Sequence, residues 1–263
     1  MIPPWTGNCS DCTGNTTCNP YSATFAVPLD LYNTNQANLP YRAIGKVFFT
    51  SAGRNFACPV ASIGGSAVLT AGHCVSDGQG NFYTNWVFVP DFYVYTTPEA
   101  SPWVATQLMT FPAFLNDTDL ARDVGFAVVE GPASANGATL SEVLGHLGFA
   151  WNLNPTGVVW NAFGYPILVY GGLIMVQTNA VTACRDQINS TDPQDVGIGS
   201  TQTGGGSGGP WIFDFRATLT DLSMNYAGGV NSFVSSGGGY QVYSPYFDQA
   251  VKNLKDQAVA AKP

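Results

Sequence analysis

Three short segments carry residue types that together could perform nucleophilic catalysis. The first is Leu-Thr-Ala-Gly-His-Cys, in which an apolar run ends in a turn of small residues that presents His73. An imidazole held on such a turn can act as a general base if it stays within hydrogen-bond reach of its partner. A hairpin would bring Cys58 and Cys74 together, and the resulting disulfide would hold the turn rigid. His73 is therefore the candidate base, with an ordinary core or surface histidine as the alternative.

The second segment is Gly-Gly-Gly-Ser-Gly-Gly-Pro, with Ser207 as its only side chain able to act as a nucleophile. Glycines beside a nucleophile let the backbone approach a substrate carbonyl, and they let consecutive N–H groups converge on an oxyanion. A phosphate-binding loop is the main alternative. That alternative is disfavoured because the lysine of a Walker motif is absent and a strand-like run, 211–213, follows instead of a helix.

The third segment places Asp123 directly before the apolar run 124–129. A carboxylate at the head of a buried strand can orient an imidazole through its Nδ1–H group. Asp117 and Asp119 lie nearby, and most acidic residues only keep loops solvated, so the segment is weak evidence by itself. It gains weight from the order histidine, aspartate, serine, because unrelated hydrolase folds use different orders.

The elements that would have to position these residues are mostly strands. Short runs rich in β-branched and aromatic residues alternate with Gly, Pro, Asn and Asp, which predicts strands joined by turns. The runs are 46–49, 67–69, 86–89, 92–95, 124–129, 158–160, 173–176, 211–213 and 240–243. Near the end, Phe247, Val251 and Leu254 have the spacing of one helix face, after a start signal at Ser244-Pro245. The pattern predicts an all-β protein made of two barrels with a terminal helix.

Composition excludes several kinds of partner. Only 10% of the 263 residues are charged, and the net charge is −8 with nine Lys and Arg, which argues against binding nucleic acid or an anionic membrane. No stretch approaches the roughly 20 apolar residues that cross a bilayer. The first residues lack the basic and apolar regions of a signal peptide, so we expect a secreted protein in a processed form.

The cysteines and sequons also favour an extracellular protein. The six cysteines predict three disulfides. Beyond Cys58–Cys74, three pairings remain open, and we expect one bond to join the N-terminal extension to the second barrel. A metal site is the alternative, but the paired spacing of a zinc site is absent. The four open cysteines are Cys9, Cys12, Cys18 and Cys184. The sequons of a possible glycoprotein are at Asn8, Asn15, Asn116 and Asn189.

Taken together, the three motifs resemble those of the chymotrypsin-like (trypsin-fold) serine peptidases, in that family's order. Residues 39–44 resemble the stretch before the first barrel in the glutamyl-endopeptidase branch. The resemblance extends from about Pro40 to Leu254. It implies an all-β fold of two six-stranded antiparallel Greek-key β-barrels with a C-terminal α-helix. The implied division is a tethered extension at 1–39, a first barrel at 40–135, and a second barrel with the helix at 136–263.

The resemblance also implies a role for each candidate residue. Ser207 would attack a peptide carbonyl, His73 would carry the proton to the leaving amine, and Asp123 would fix the histidine tautomer. The backbone N–H groups of Gly205 and Ser207 would form the oxyanion hole. The reaction would pass through an acyl-enzyme and would need no metal or cofactor.

Departures from the family pattern bear on activation and specificity. Gly206 stands where enzymes activated by cleavage carry an aspartate, so that ion pair cannot form. Thr201 stands where basic-specific enzymes carry an acid, and Asn231 where glutamyl enzymes carry a histidine. The predicted pocket is polar but uncharged, and suits a small, polar or apolar side chain. Its predicted lining is Thr201, Gln202, Asn231 and Ser232. Residues 231–233 are expected to pair with the substrate backbone.

The sequence therefore predicts a secreted, monomeric serine endopeptidase that acts on proteins or peptides. Two alternatives stay open. A catalytically silent homologue could use the same fold to bind a partner, because fold does not determine function. An esterase could use the same three residues, and cleavage of long peptides would separate it from a peptidase.

Overall fold

The computed structural model describes residues 4–5, 26–29, 38–93, 102–186, 192–202, 204–217, 224–235 and 241–263. The strands in these ranges are β1 Pro4–Trp5, β2 Val27–Pro28, β3 Ile44–Ser51, β4 Arg54–Ser62, β5 Ala67–Thr70, β6 Thr84–Pro90, β7 Trp103–Thr110, β8 Gly125–Glu130, β9 Gly148–Phe149, β10 Val159–Gly164, β11 Val176–Asp186, β12 Asp195–Gly199, β13 Pro210–Phe213, β14 Tyr226–Val230, β15 Phe233–Ser235 and β16 Gln241–Ser244. The α-helices are α1 Pro112–Asp117, α2 Leu140–Leu144 and α3 Gln249–Ala260.

The first half of the chain closes into a six-stranded barrel. Its strands follow one another in the order β3-β4-β5-β8-β7-β6, and every neighbouring pair is antiparallel. In β6 the buried residues Trp86, Phe88 and Pro90 alternate with more exposed ones, as expected for a strand with one face on a core. The barrel sets the end of β5 beside the start of β8, so that the turns carrying His73 and Asp123 lie together.

The second half forms a ten-stranded sheet within the described residues. Its path is β1-β15-β16-β12-β11-β10-β13-β14-β9, and β2 pairs with β11. The predicted all-β class, the first six-stranded barrel and the C-terminal helix are confirmed, and the second unit is a sheet of ten strands where six were predicted. The second sheet gains strands at its margins because the two-residue segments β1, β2 and β9 add to edges of longer strands. The division at residues 39 and 135 stays a prediction.

The core consists of two apolar clusters, of which the larger joins the two halves. The larger cluster combines residues of the first barrel with residues of the second sheet, including Phe163 and Ile212, and with Val251 of α3. The smaller cluster fills the second sheet around Trp160 and Trp211, whose rings lie 5.8 Å apart. Burial of large apolar side chains of this kind supplies most of the favourable free energy of folding.

Some predicted boundaries differ from the structure. The start signal of α3 is Asp248, whose side chain accepts from the N–H of Val251 at 3.0 Å, rather than Ser244-Pro245. The strand that was predicted to begin at residue 173 begins at Val176 instead, after a 3-10 turn at Tyr170–Gly172. Residues 92 and 93 are not in a strand either. No helix among the described residues is long and apolar enough to cross a bilayer.

Several sequence predictions fall outside the described residues. They concern Cys9, Cys12 and Cys18, and with them any pairing to Cys184 of β11, and the sequons at Asn8, Asn15 and Asn189. The fourth sequon asparagine, Asn116, lies exposed on α1.

Candidate active site

His73 lies on a short 3-10 turn, Gly72–Cys74, that follows β5 directly. The predicted disulfide between Cys58 and Cys74 is confirmed, and it joins this turn to β4. The indole Nε1 of Trp86 donates to the carbonyl oxygen of Cys74 at 2.9 Å, which fixes the other side of the turn. The imidazole is therefore held by neighbours that are themselves buried in the barrel.

The carboxylate of Asp123 is fully buried and accepts hydrogen bonds from three donors. Its Oδ1 atom accepts from the backbone N–H of His73 at 2.7 Å, and its Oδ2 atom pairs with His73 Nδ1 at 2.8 Å. The hydroxyl of Ser232 also donates to Oδ2. Because a carboxylate only accepts, His73 Nδ1 carries the proton and Nε2 is left as an acceptor.

Asp123 is positioned by the segment before it. Leu120–Arg122 form a 3-10 turn that is capped by Asp119, whose carboxylate accepts from the N–H of Ala121 at 3.1 Å. Arg122 then donates to Asp248 of α3 at 2.9 Å. The turn before the buried carboxylate is thus tied to the C-terminal helix.

The serine loop approaches the histidine turn closely. Ser207 is 2% exposed, and the Sγ atom of Cys74 lies 3.6 Å from its carbonyl oxygen. Gly208 has a φ angle of +87°, and a Cβ atom there would lie 2.1 Å from Thr70 Oγ1. Only glycine fits this contact, because it has no Cβ and adopts positive φ readily.

Neither Ser207 Oγ nor His73 Nε2 has a hydrogen-bond partner within the described residues, although both atoms are buried. Catalytic hydrogen bonds are often long or poorly aligned without substrate. Buried polar atoms left unpaired are uncommon in folded proteins, so these two atoms mark a candidate functional site. Among the described residues, a serine hydroxyl and a histidine ring nitrogen on adjoining turns are thus left without partners.

Two backbone N–H groups of the serine loop are also free. Within the described residues, no hydrogen bond uses the N–H of Gly205 or of Ser207. Gly205 has a φ angle of +94°, and a Cβ atom there would lie 2.7 Å from the carbonyl oxygen of Tyr165. The segment before Ser207 is thus packed against residues 165–167, with its donors unused.

Asn231 and Gln202 lie beneath the serine loop and are fully buried. The Nδ2 group of Asn231 donates to the carbonyl oxygen of Gly206 at 2.9 Å and of Phe163 at 3.0 Å. The Nε2 group of Gln202 donates to the carbonyl oxygen of Ala162 at 2.8 Å. Both amides therefore support the loop from below. Their predicted contact with substrate stays a prediction.

The other two predicted lining residues also have partners inside the protein. Thr201 is half-buried, and its Oγ1 atom accepts from the N–H of Ala26 at 2.7 Å. Ser232, which the sequence placed in the pocket, directs its hydroxyl to Asp123 instead of leaving it free for a ligand. Beside them, β1 pairs in parallel with Val234 and Ser235 on the outer edge of β15.

One buried residue that the sequence reasoning missed contacts Tyr165 and Gly172, in the part of the chain that packs against the serine loop. Lys46 of β3 is 9% exposed, and its Nζ group donates to the carbonyl oxygen of Gly172 at 2.6 Å. The same Nζ lies 5.0 Å from the ring centre of Phe92 and 5.5 Å from that of Tyr165. Burial lowers the pKa of the Lys46 amine. Nothing in the sequence around Lys46 indicates that its amine would be buried beside these aromatic rings.

Burial also acts on the acidic groups near Lys46. It raises the pKa of Asp91 from 3.8 to about 7, and it raises the pKa of the Tyr165 phenol well above its usual range, with a further contribution from Asp91. The hydroxyl of Tyr165 donates to the carbonyl oxygen of Phe92 at 3.0 Å. In the part of the chain that the structure describes, no group of three or more His, Cys, Asp or Glu residues could hold a metal ion.

Comparisons with known proteins identify the family. No family model matches the sequence, and no curated protein matches it. The structure is similar to the protease Anisep from Arthrobacter nicotinovorans, with a TM-score of 0.69 and 30% identity over 84% of this chain and 97% of that one. It is similar to the thermostable serine protease AL20 from an extremophilic microorganism, with a TM-score of 0.69 and 28% identity over 84% and 99% of the two chains.

A Glu endopeptidase shares the fold, with a TM-score of 0.69 and 16% identity over 92% of this chain and 100% of that one. The likeness to Anisep combines high coverage of both chains with 30% identity. The chain therefore belongs to the serine proteases of the chymotrypsin fold, and it is a serine endopeptidase.

Proposed function

We propose that the protein is a secreted endopeptidase that hydrolyses peptide bonds with Ser207, His73 and Asp123 as its catalytic triad. The observation that supports this most is the buried Asp123 carboxylate on His73 Nδ1 at 2.8 Å, with the Nε2 atom of the same ring lacking a partner among the described residues. A ring held in this way is ready to take a proton from a hydroxyl. Ser207, on the adjoining loop, supplies that hydroxyl.

The first half of the reaction forms an ester. Ser207 Oγ bonds to the carbonyl carbon of the substrate while its proton moves to His73 Nε2. The carbonyl oxygen becomes an oxyanion, and the N–H groups of Gly205 and Ser207, which have no acceptor in the part of the chain that the structure describes, donate to it. The C–N bond then breaks as His73 returns the proton to the leaving amine.

The second half restores the enzyme. Water enters, loses a proton to His73 Nε2 and attacks the ester carbon, and Ser207 Oγ leaves with that proton. Asp123 keeps the Nδ1 proton in place throughout and stabilises the imidazolium that forms twice in the cycle. Ser232 and the N–H of His73 hold the carboxylate, so it keeps its position as charge develops beside it.

Specificity and binding remain parts of the proposal. Thr201, Gln202, Asn231 and Ser232 place no charged side chain at the predicted pocket, so we expect a small, polar or apolar residue at the cleaved bond. Residues 231–233 would pair with the substrate backbone. β1 pairs with the adjacent Val234 and Ser235, so a substrate that extended its pairing along β15 would require β1 to move away.

The disulfide supports the secretion part of the proposal, because such bonds persist in oxidising compartments. Glycosylation at the exposed Asn116 would be a further sign of passage through a secretory route. Mass analysis of the protein purified from its natural source would test both features.

Digestion of a mixed peptide library, read by mass spectrometry, tests the activity. We expect cleavage by the parent and none by Ser207→Ala. Ser62→Ala is the matched control, since Ser62 is another buried serine without a hydrogen-bond partner in the described residues. Loss of cleavage in both variants would contradict a specific role for Ser207. A folded parent that cleaves no peptide would favour the silent homologue, and one that cleaves only esters would favour the esterase.

A further inference from the structure

A loop beside the serine segment exposes an unusual run of large apolar side chains. In residues 166–175 every side chain is uncharged. Ile167 is 63% exposed, Leu168 82%, Tyr170 64% and Leu173 39%. Scattered apolar residues on a surface are ordinary, whereas a contiguous group of this kind marks a binding site. We call residues 166–173 the apolar loop.

The apolar loop has a fixed conformation. Successive turns close it, with the N–H of Val169 donating to Pro166 at 3.0 Å and the N–H of Gly172 donating to Val169 at 3.1 Å. Lys46 Nζ holds its far end through the carbonyl oxygen of Gly172 at 2.6 Å. A loop tied down in this way cannot turn its apolar side chains inward, so their exposure is built into the fold.

Tyr170 shows that this exposure is maintained against a cost. Its φ angle is +48°, and Gly171 and Gly172 follow with +64° and +74°. A bulky residue at positive φ is a backbone outlier, and such strain is typical of functional sites. The strained turn directs the chain so that an aromatic side chain stays on the surface.

The apolar loop touches the part of the serine segment that would receive the oxyanion. The N–H of Ile167 donates to the carbonyl oxygen of Gly204 at 2.8 Å. A Cβ atom at Gly205 would lie 2.9 Å from Ile167 Cγ1, so the Ile167 side chain packs directly on Gly205. The apolar loop therefore borders the segment whose N–H groups would receive the oxyanion.

The two walls of the reaction centre attach to opposite ends of the serine segment. At the later end, the N–H of Gly208 donates to the carbonyl oxygen of Asn231 at 2.7 Å, and the N–H of Asn231 donates to the carbonyl oxygen of Gly209 at 2.8 Å. These bonds join the serine segment to the strand that is expected to bind the acyl half of a peptide. At the earlier end, Gly204 and Gly205 contact the apolar loop. The half of the substrate that leaves as an amine would extend toward that loop.

We propose that the apolar loop is the binding surface for the substrate residues just after the cleaved bond, an inference that rests on the proposed function. Leu168 and Tyr170 give the enzyme a preference for large apolar side chains at those positions. The occupant is the leaving half of a peptide substrate. A second copy of the chain and a lipid surface would also cover apolar residues, but neither accounts for the direct contact with Gly205.

Paired substrates test this inference. Two internally quenched peptides share the acyl residues found in the library digestion and differ only in the two residues after the cleaved bond, Leu-Leu in one and Ser-Ser in the other. A methyl ester of the same acyl residues has nothing to place on the apolar loop. We expect the parent to favour the Leu-Leu peptide by about ten-fold in kcat/KM.

Three variants assign the preference to residues. Leu168→Ser and Tyr170→Asn should each lower the Leu-Leu to Ser-Ser ratio by roughly three- to ten-fold and leave turnover of the methyl ester unchanged. Asparagine is chosen at position 170 because it tolerates positive φ. Val104→Ser is the matched control: Val104 is 51% exposed on β7, outside the apolar loop, and its loss should leave the ratio unchanged.

Each result of these measurements either supports or overturns the inference. Ester turnover by the parent with no preference between the peptides would overturn the inference alone, as would a preference that both loop variants keep. The loop variants could instead keep the preference and lose dimer formation in gel filtration, which would assign the loop to a second copy of the chain. If they kept the preference and lost binding to neutral lipid vesicles, the loop would be assigned to a lipid surface. A folded parent that turns over neither peptide nor ester would overturn the proposed function and this inference with it.

Discussion

Gly208→Ala is expected to disable the enzyme, and Gly204→Ala, in the same loop, is expected to be harmless. A Cβ atom at Gly208 would lie 2.1 Å from Thr70 Oγ1 and 2.7 Å from the carbonyl oxygen of Pro59, at a φ angle of +87°. A Cβ atom at Gly204 would have nothing within 4 Å. The two substitutions add the same methyl group, so they differ only in the space and backbone conformation that receive it.

The magnitude follows from that geometry. Positive φ costs an alanine about 1–2 kcal/mol, and overpacking costs about 1–3 kcal/mol, so we expect Gly208→Ala to lower the free energy of unfolding by roughly 2–5 kcal/mol. Carbon and oxygen atoms need about 3.5 Å, so the loop must move by more than ~1 Å. A displacement of that size at Ser207 should lower kcat/KM by about 10²-fold or more.

Urea unfolding and peptide hydrolysis measure both effects. Thr70→Ala removes the nearest clashing atom, so the double variant with Gly208→Ala should regain part of the stability and activity lost by Gly208→Ala. Gly204→Ala should stay within about 0.5 kcal/mol and three-fold of the parent. Equal damage from the two glycine variants, or no recovery in the double variant, would refute the placement of the serine loop against β5.

Three further outcomes are expected. Asp91 has a raised pKa of about 7, so the folded protein keeps a proton there that the unfolded chain loses above 3.8, and stability falls as pH rises between these values. Asp91→Asn should therefore raise the free energy of unfolding in urea by about 1–2 kcal/mol at about pH 8, after solvent screening, and hardly at about pH 4; equal changes at the two pH values would contradict this. Replacing Cys58 and Cys74 together by alanine removes a disulfide that spans 16 residues and should lower the free energy of unfolding by about 3 kcal/mol. Thermal unfolding measures this loss, and an unchanged Tm would contradict it. Deleting residues 1–6 frees the β15 edge and should lower KM by several-fold for a long peptide but not for a methyl ester; identical KM values would show that β1 does not compete with substrate.

The residues that could be predicted from sequence carry their signal locally. His73 lies in a short motif between a strand and Cys74, and Cys58 lies only 16 residues before that cysteine, so the disulfide could be inferred without knowledge of the fold. Ser207 was visible because glycines surround it. The alternation of strands and turns was enough for the all-β class, since strand spacing depends mainly on nearby residues.

The supporting contacts could not be predicted because they join distant parts of the chain. The hydroxyl of Ser232 reaches Asp123 across 109 residues, so its place in the sequence indicated only a pocket wall. Lys46 reads as a solvent-facing lysine in a strand, and the partner of its buried amine is the carbonyl oxygen of Gly172, 126 residues later. Asn231 depends likewise on carbonyl groups that the fold alone brings beneath the serine loop.

The central claim is that Ser207 is a nucleophile activated by His73, and labelling with a fluorophosphonate tests it most directly. Folded protein should take up one phosphonyl group, mapped by mass spectrometry to the peptide containing Ser207. Heat-unfolded protein should take up none, and His73→Ala should react at least about 10³-fold more slowly. No adduct in the folded protein, or an adduct on another residue, would contradict the account.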